Sequence, residues 1–507
     1  MASTHSIITH GSSGTLVEIE CHLSNNLPNI IIVGFANKAV DEAKERIRGA
    51  FATSHIMLPR KRITVNLAPA DLPKHDSGFD VAIAVAILRA SEQISVLSDG
   101  RTAFVGELGL EGDIRPVRGI IGKLLIGRQH GLTTFYIPEA NLRQAQLIPD
   151  IHLFPIKTLH QLYQHLTGVN PLEAVITGAG RYEASTAPST PGIQLSEVVG
   201  QLQAKRALEI TAAGGHNLLF SGPPGTGKSM LAKALAGILP ALNREEVLEV
   251  SHLHSLAGHN YEAIIGERPF RAPHHSASHI AVIGGGLNLR PGEVSLSHRG
   301  VLFLDELPEF SRMTLEALRQ PLEDRVVTIA RAKDTAEYPA NFILIGTANP
   351  CPCGYYGSAG GNCRCAPYEI SRYQQRLSGP ILDRIDLFSN VHEVEHDKLL
   401  HQTIDPEADQ AVRQRIERAR QIQAQRYGGT SKLNANMTNT DIKQSAPLEP
   451  AAIKLLNAAA QRLHLSARGY MRAVKVARTI ADLDQAETIR EAHVSEALAY
   501  RPQQVTD

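Results

Sequence analysis

The sequence lacks three features that would each set its class. It carries no net charge, because 51 Lys and Arg balance 51 Asp and Glu, so any contact with nucleic acid has to be local. No apolar run approaches the roughly 20 residues that a bilayer requires, and no membrane span is predicted. The amino terminus has neither the basic start nor the apolar stretch of a secretory signal, so a cytoplasmic location is expected.

Cysteine is also scarce, and its few copies are clustered. Five cysteines in 507 residues do not make a disulfide framework. Four of them, however, form two close pairs, Cys351 with Cys353 and Cys363 with Cys365. Four sulfurs brought together by a flexible loop would complete a closed tetrahedral Zn²⁺ site, which is structural and not catalytic. The alternative is four reduced cysteines in a surface loop.

The length of the chain predicts two to four domains, because a single hydrophobic core stops growing well below 507 residues. Residues 1–177 mix β-branched runs with helical patterns and indicate an α/β or α+β domain. Residues 178–194 are rich in Gly, Ala, Ser, Thr and Pro and predict a linker. Residues 195–394 alternate apolar strands with helical segments, which is typical of a covered parallel sheet. Residues 395–507 predict a small helical domain.

Individual elements follow from the same patterns. Strands are predicted at 29–33, 62–67, 103–105, 218–220, 301–304 and 342–345. Helices are predicted at 80–90, 408–427, 450–465, 469–483 and 491–500. The first of these helices is apolar almost throughout and is therefore expected to be buried.

The segment GPPGTGKS fits the phosphate-loop pattern G-x-x-x-x-G-K-[ST]. An apolar strand runs into it and a helix with one apolar face leaves it, so a chance glycine-rich turn is the weaker explanation. The glycines let successive N–H groups point at phosphate oxygens, and the helix amino terminus adds partial positive charge. Lys228 is expected to bridge the β- and γ-phosphates of ATP, and Ser229 to ligate Mg²⁺. The predicted binding residues are Gly222, Pro223, Pro224, Gly225, Thr226, Gly227, Lys228 and Ser229.

Acidic and amide side chains follow two later strands. Asp305 and Glu306 come directly after the apolar run VLFL, and ligands bind at the carboxyl ends of strands in open parallel sheets. Asp305 is expected to bind Mg²⁺, and Glu306 to orient and deprotonate the attacking water. A third strand ends in GTANP, so Asn349 is expected at the same edge, in contact with the γ-phosphate or the water. Alternatively, Asn349 only begins a turn before Pro350.

Four motifs together resemble the magnesium-chelatase-like AAA+ proteins of the ComM/YifB type. They are GPPGTGKS, VLFLDELPEF, RPFRAPHH (268–275) and IGTANPCPCG (345–354), and the resemblance extends over essentially the whole chain. It implies a ring, expected to be a hexamer, in which each ATP lies between subunits. Arg384, in LSGPILDRIDL, then resembles an arginine finger that reaches into the next subunit's site. Arg468 resembles the sensor arginine of the lid, with Arg472 as the competing assignment. The alternative for Arg384 and for Arg468 is an ion-paired surface arginine.

Residues 326–339 alternate β-branched residues around a polar tip, at the point where related ring motors insert a hairpin into their channel. Arg331 and Lys333 would then face the ring axis, and repetition around the ring would line the channel with positive charge that tracks DNA phosphates. Two basic residues on an isolated hairpin are more commonly just solvated. The family resemblance implies DNA branch migration during recombination and natural transformation.

The amino-terminal region, 28–125, resembles the Lon protease fold. Proteolysis in that fold needs a serine activated by a lysine. Ser77 is offset from the expected serine position, and the nearest lysine, Lys123, is displaced by about two positions from where the resemblance requires it. The dyad is therefore predicted to be broken, and the domain to be a DNA-binding or ring-scaffolding platform.

The sequence thus predicts an α/β protein in which an AAA+ P-loop sheet with a helical lid follows a Lon-protease-like domain. Its expected ligands are ATP, Mg²⁺ and a structural Zn²⁺, and its expected partners are further copies of the chain and single-stranded or branched DNA, with no membrane. Two alternatives stay open. One is a protein-remodelling or chelatase-type ATPase without DNA activity, and the other is an ATP-dependent protease, which the missing lysine disfavours.

Overall fold

The described residues form two compact units. A computed structural model of the chain describes residues 2–10, 13–34, 38–70, 78–94, 100–177, 193–257, 263–286, 289–330, 335–357, 363–377, 379–394, 404–429 and 432–502. The amino-terminal unit contains the described parts of 1–184, 243–266 and 328–338. The second unit contains the described parts of 185–242, 267–327 and 339–507. Two segments from the middle of the chain therefore belong to the amino-terminal unit, which the sequence patterns do not indicate.

Among the described residues, ten strands come from the amino-terminal part of the chain. They are β1 (Ala2–His10), β2 (Ser13–Ser24), β3 (Asn29–Val33), β4 (Arg62–Ala68), β5 (Thr102–Phe104), β6 (Glu107–Leu108), β7 (Ile114–Arg115), β8 (Thr134–Pro138), β9 (His152–Ile156) and β10 (Val175–Ile176). Eight of them form one mixed sheet in the order β10-β9-β8-β5-β1-β2-β4-β3, and β6 pairs with β7. The strands predicted at 29–33, 62–67 and 103–105 correspond to β3, β4 and β5.

The helices of this unit pack on that sheet, apart from Arg244–Ala257, which packs on the helix Ile120–Gln129. They are Lys38–Thr53, Asp80–Ala90, Ile120–Gln129, Leu142–Ala145, Leu159–Leu166 and Arg244–Ala257, with a 3₁₀ turn at Glu139–Asn141. Asp80–Ala90 is buried from Asp80 to Leu88, as its apolar sequence predicts. Arg244–Ala257 belongs here because the Arg244 guanidinium donates to the Leu147 carbonyl at 2.8 Å and His252 lies directly against Gly122.

The described segments of the rest of the chain contribute nine further strands. They are β11 (Leu218–Ser221), β12 (Phe270–Arg271), β13 (Gly284–Gly285), β14 (Arg290–Pro291), β15 (Val301–Leu304), β16 (Val326–Ala330), β17 (Thr335–Pro339), β18 (Ile343–Ala348) and β19 (Leu387–Asn390). Five form a sheet in the order β12-β15-β18-β11-β19, and every pairing in it is parallel. All its carboxyl ends therefore meet at one edge. Two small sheets, β13-β14 and β16-β17, complete the set.

Helices cover the five-stranded sheet and make up the carboxyl-terminal region. They are Leu202–Gly214, Lys228–Ile238, His279–Ile283, Glu293–Leu296, Arg312–Ala317, Arg319–Asp324, Pro367–Gln374, Gly379–Leu382, Pro406–Tyr427, Asn439–Ser445, Pro450–Arg462, Ala467–Leu483 and Glu491–Ala499, with 3₁₀ turns at Leu195–Glu197, Leu307–Glu309 and Asn434–Asn436. One apolar core joins sheet residues such as Phe220 to Ile480 in the carboxyl-terminal helices. This confirms a parallel α/β sheet with a helical carboxyl-terminal region. Within the described residues, no helix is both long and apolar enough to cross a bilayer.

Candidate nucleotide and metal sites

The phosphate loop connects β11 to the helix Lys228–Ile238. Gly225 and Gly227 take φ values of +79° and +90°, in the left-handed region that glycine adopts without strain. A Cβ at either position would meet no heavy atom within 4 Å, so backbone conformation and not crowding requires glycine here. The helix begins at Lys228, directly after Gly227. Its free N–H groups and dipole therefore face the loop, which is the arrangement that binds phosphate.

Lys228 folds back over this loop. Its Nζ donates to the carbonyl oxygens of Gly222 and Pro223, both at 2.6 Å, and to Asn349 Oδ1 at 3.2 Å. Burial lowers the pKa of the Lys228 ammonium, and the charges of Asp305 and Glu306 oppose that shift. Phosphate oxygens offer the same ammonium a stronger, charged acceptor. The contact with Asn349 places this amide at the phosphate loop, as the sequence predicts.

The two acids lie where β15 ends, next to the first turn of the loop's helix. Ser229 Oγ donates to Asp305 Oδ2 at 3.2 Å, and both acids are exposed. Thr347, within β18, fixes this pair: its Oγ1 donates to Asp305 Oδ1 at 2.6 Å and accepts from the Glu306 N–H at 2.8 Å. The sequence analysis missed Thr347, although a hydroxyl in an otherwise apolar strand was a signal. A hydroxyl beside a carboxylate is an oxygen donor set that suits Mg²⁺.

Arg384 and Arg468 lie at the opposite edge of the sheet from the phosphate loop, where the strands begin. Asn217 and Asp386 immediately precede β11 and β19, and Asn217 Nδ2 donates to the Arg384 carbonyl at 2.9 Å. The guanidinium of Arg384 pairs with Glu323 at 2.5 Å, and Arg468 approaches the same carboxylate at 3.7 Å. Arg384 and Arg468 are thus brought together, while the phosphate loop is at the far end of the strands.

Arg472, the competing candidate for the lid sensor, has a different environment. Its Nη1 donates to Asp386 Oδ1 at 3.2 Å, and the Asn217 N–H donates to the other oxygen of that carboxylate at 3.0 Å. Burial would raise the pKa of Asp386, but a contact with the His216 ring and the charge of Arg472 outweigh burial and hold the pKa well below its usual range. Asp386 is therefore a buried, charged anchor, and Arg472 is its partner.

The four clustered cysteines converge on one point. Their sulfur atoms all lie within 4.8 Å of one another. Cys351 Sγ is 3.4 Å from Cys353 Sγ and 3.8 Å from Cys363 Sγ. Backbone N–H groups of Tyr355 and Arg364 lower the pKa of Cys353 to about 6. Cys365 accepts a backbone hydrogen bond from Cys353 that lowers its pKa, but desolvation and the neighbouring sulfurs outweigh it and raise the pKa to about 12. Four sulfurs at these distances could hold one metal ion.

The cysteine loop also touches the phosphate loop. A Cβ at Gly354 would lie only 2.7 Å from Pro224 Cδ, so this glycine permits a close approach of the two loops. Gly354 has φ of +85°, which also favours glycine. Asn349 and Pro350 directly precede the first cysteine, and Gln374 Nε2 donates to the Pro350 carbonyl at 3.1 Å. The phosphate loop and the cysteine loop are therefore in direct contact.

Comparisons with known proteins agree with this geometry. Three family models match the chain: magnesium chelatase, subunit ChlI, over residues 194–399; subunit ChlI of Mg-chelatase over 19–141; and the carboxyl-terminal part of magnesium chelatase subunit ChlI over 406–501. Competence protein ComM of Haemophilus influenzae is 42% identical over 99% of this chain and 97% of its own length. The chain belongs to the ComM/YifB family of magnesium-chelatase-like proteins. The uncharacterized protein YifB of Escherichia coli is 41% identical, again over 99% of this chain and 97% of its own length.

A true chelatase subunit is a more distant relative of this ComM/YifB-family chain. The magnesium-chelatase 38 kDa subunit of Rhodobacter capsulatus is 28% identical over 33% of this chain and 53% of its own length. Membership of the magnesium-chelatase-like AAA+ group implies ATPase activity, which the loop, acids and amide described above can support.

Four further predicted residues of this ComM/YifB-family chain lie away from the nucleotide and cysteine sites or outside the described residues. Arg331 and Lys333 lie outside the described residues, between β16 and β17, and Ser77 lies outside them as well. Lys123 is described, and it is 1% exposed. Its Nζ donates to the Ile7 carbonyl at 2.8 Å, so the amine is engaged with main chain in the interior of the amino-terminal unit.

Proposed function

We propose that this chain is an ATP-driven DNA motor that works as a ring, expected to be a hexamer, in branch migration during recombination and natural transformation. The name of its relative, competence protein ComM, supports the biological setting. The motor proposal rests on a single observation: the residues of the phosphate loop and Arg384 lie at opposite edges of the sheet. Lys228 and Asp305 lie at the carboxyl edge of the sheet, and Arg384 lies at its amino edge.

Hydrolysis at the carboxyl edge would use residues that already contact one another. Lys228 and the loop N–H groups would hold the β- and γ-phosphates of ATP, and Asn349, 3.2 Å from Lys228, would contact the γ-phosphate or the attacking water. Exposed Glu306, held through its N–H by Thr347, would orient that water and accept its proton. Ser229 and Asp305 would hold Mg²⁺. When bound, the ion neutralises charge developing on the phosphates.

A second copy of the chain would complete the site. Positive charge near the γ-phosphate stabilises the transition state by about 10³- to 10⁵-fold in well-studied enzymes. Arg384 lies at the edge of the sheet opposite the phosphate loop of its own chain. It therefore cannot reach a nucleotide bound to that chain, and the nucleotide of a neighbouring subunit is its expected target. A ring of identical, head-to-tail contacts satisfies this requirement at every seam.

DNA contact is assigned to the hairpin formed by β16 and β17, whose tip carries Arg331 and Lys333. The strand pair itself is described and the tip is not. Because the chain has no net charge, repeated cations at one depth of a channel would supply the local attraction that DNA phosphates need. The salt dependence of DNA-stimulated hydrolysis is expected to weaken when these cations are removed.

The cysteine cluster is proposed to hold a structural Zn²⁺. The donor set fits, because four thiolates in a closed arrangement are typical of structural zinc sites. Bound zinc would cross-link the two halves of the loop that follows Asn349. The test is elemental analysis of the purified chain, in which about one zinc per chain is expected. The Cys363→Ser variant should lose that metal, and a full-length chain that contains none would contradict the proposal.

The motor is tested by resolution of a synthetic four-way DNA junction with ATP. The parent chain is compared with Lys228→Ala and with the double variant Arg331→Ala, Lys333→Ala. Lys228→Ala should abolish hydrolysis and junction movement together. The double variant should keep basal hydrolysis and lose both junction movement and stimulation by DNA.

The alternatives give different results in the same assay. A protein-remodelling or chelatase-type ATPase would hydrolyse ATP without stimulation by DNA and would leave the junction intact. Normal junction movement by the double variant would contradict the channel assignment alone. Degradation of casein would revive the protease, which the interior position of Lys123 disfavours.

A further inference from the structure

One carboxylate contacts both Arg384 and Arg468, the two arginines that the family resemblance connects with ATP hydrolysis. Glu323 lies near the end of the helix Arg319–Asp324, and its Oε1 is 2.5 Å from Arg384 Nη2 and 3.7 Å from Arg468 Nη2. The three residues come from three separate stretches of the chain: the helix before the hairpin, the turn before β19, and the helix Ala467–Leu483. Their convergence is a product of the fold.

The guanidinium of Arg384 is held on two sides. Nη1 donates to the Pro380 carbonyl at 2.5 Å, and Nη2 pairs with Glu323. The side chain is only 8% exposed, and a buried cation needs a partner with good geometry because desolvation is costly. Its Nε has no acceptor among the described residues. Glu323 and the Pro380 carbonyl therefore fix the direction of the guanidinium.

Arg468 completes the cluster from the solvent side. It is 63% exposed, and it shares the carboxylate of Glu323 with Arg384. Two cations this close repel each other, and a carboxylate between them offsets the repulsion. Without Glu323, the two guanidinium groups would separate and Arg384 would lose its charged partner.

We propose that Glu323 is a positioning residue for ATP hydrolysis, and that it holds Arg384 and Arg468 together so that both approach the same phosphate of the neighbouring subunit. This inference rests on the proposed function, in which Arg384 acts across the seam. Glu323 contacts no nucleotide in this arrangement and acts only through the arginines. Its loss should therefore lower turnover and leave nucleotide binding at Lys228 unchanged.

The test uses the full-length chain with Glu323→Gln, which keeps the shape of the side chain and removes its charge. We expect kcat for ATP to fall about 10- to 100-fold, the range that misplacement of a reacting group by about 1 Å produces. KM for ATP and the affinity for a fluorescent ADP analogue should stay within about twofold of the parent. Glu323→Asp, which keeps the charge, should recover part of the lost kcat.

Glu316→Gln is the matched control. Glu316 lies in the preceding short helix, Arg312–Ala317, and pairs with Arg319 at 2.5 Å. The substitution therefore removes a nearby carboxylate from an ion pair that involves neither Arg384 nor Arg468. It is expected to leave kcat unchanged.

A double-variant cycle separates positioning from an independent role. Arg384→Ala alone should lower kcat further than Glu323→Gln, and the loss in the double variant should be smaller than the two single losses combined, because Glu323 acts through Arg384 and Arg468. Additive losses, or a normal kcat in Glu323→Gln while Arg384→Ala is impaired, would overturn this inference and leave the shared seam intact. A normal kcat in Arg384→Ala would remove the proposed seam and this inference with it. Unchanged ADP binding establishes that each variant is folded.

Discussion

The two edges of the five-stranded sheet use polar residues in opposite ways. At the carboxyl edge, Asp305 and Glu306 are exposed and Lys228 bonds mainly to loop carbonyls. At the amino edge, Asn217 and Asp386 are 3% and 7% exposed and are closely hydrogen-bonded to the starts of β11, β18 and β19. Both sets of side chains flank the same strands. The carboxyl edge therefore keeps charged side chains accessible to a ligand. The amino edge instead uses polar and charged side chains to hold the strands together and to orient the arginines.

The largest expected effect comes from the carboxyl edge. Lys228→Ala should lower ATP turnover by at least about 10³-fold, because it removes the cation that meets the β- and γ-phosphates. The free energy of unfolding should change by less than about 1 kcal/mol, since the lost bonds are to loop carbonyls. Phosphate release and urea denaturation measure the two quantities. The control is Lys454→Ala, at an exposed position in a carboxyl-terminal helix, and substantial turnover in Lys228→Ala would contradict the site assignment.

A substitution at the amino edge should lower the stability of the fold and leave nucleotide binding nearly unchanged. Asp386→Asn should lower the free energy of unfolding by about 3 kcal/mol, because it leaves the positive charge of Arg472 without its buried partner. The affinity for an ADP analogue should change little, since Asp386 lies at the edge away from the phosphate loop. The midpoint of urea denaturation is the measurement. Asp383→Asn, at an exposed position three residues earlier, is the control and should be nearly neutral.

The pKa of Asp386 adds a pH test to this comparison. Its pKa is held below the usual range in the folded chain, so its stabilising contribution is present above about pH 4 and is lost as the pH falls below that value. Asp386→Asn should therefore remove part of the acid sensitivity of the parent. Equal slopes of stability against pH in the two chains would argue against a charged Asp386.

The functional residues of the carboxyl edge could be predicted from the sequence, whereas the ion pairs and hydrogen bonds of the amino edge could not. GPPGTGKS and VLFLDE are local patterns whose chemistry depends on consecutive residues, so Lys228 and Asp305 were identified directly. Glu323 and Asp386 acquire their partners only when distant helices and strands pack together, and no spacing in the chain signals that. The same limit explains why segment 243–266 was not assigned to the amino-terminal unit. Thr347 is an intermediate case. The sequence shows a hydroxyl in an apolar strand, but it does not show that Asp305 and the Glu306 N–H are the partners of that hydroxyl.

A smaller effect is expected from Thr347, which connects β18 to the acids of β15. Thr347→Val keeps the shape of the side chain and removes the hydroxyl that binds Asp305 at 2.6 Å and the Glu306 N–H at 2.8 Å. We expect kcat to fall about 10-fold, in the range found for groups that orient a ligating carboxylate. Thr347→Ser should stay close to the parent. Equal kcat values for Val and Ser would mean that the hydroxyl does not orient the acids.

The smallest expected effect tests whether the cysteine loop bears on the phosphate loop. Gly354 and Gly357 have similar φ values, +85° and +75°, so alanine at either should cost a similar 1 to 2 kcal/mol of backbone strain, roughly. Only at Gly354 would the added Cβ meet Pro224, at 2.7 Å, whereas at Gly357 it would meet no heavy atom of the described residues within 4 Å. Gly354→Ala should therefore weaken ADP binding by about threefold while Gly357→Ala leaves it unchanged. Equal affinities in a fluorescence titration would show that the two loops touch without influencing each other, because backbone strain is common to both variants and cancels in the comparison.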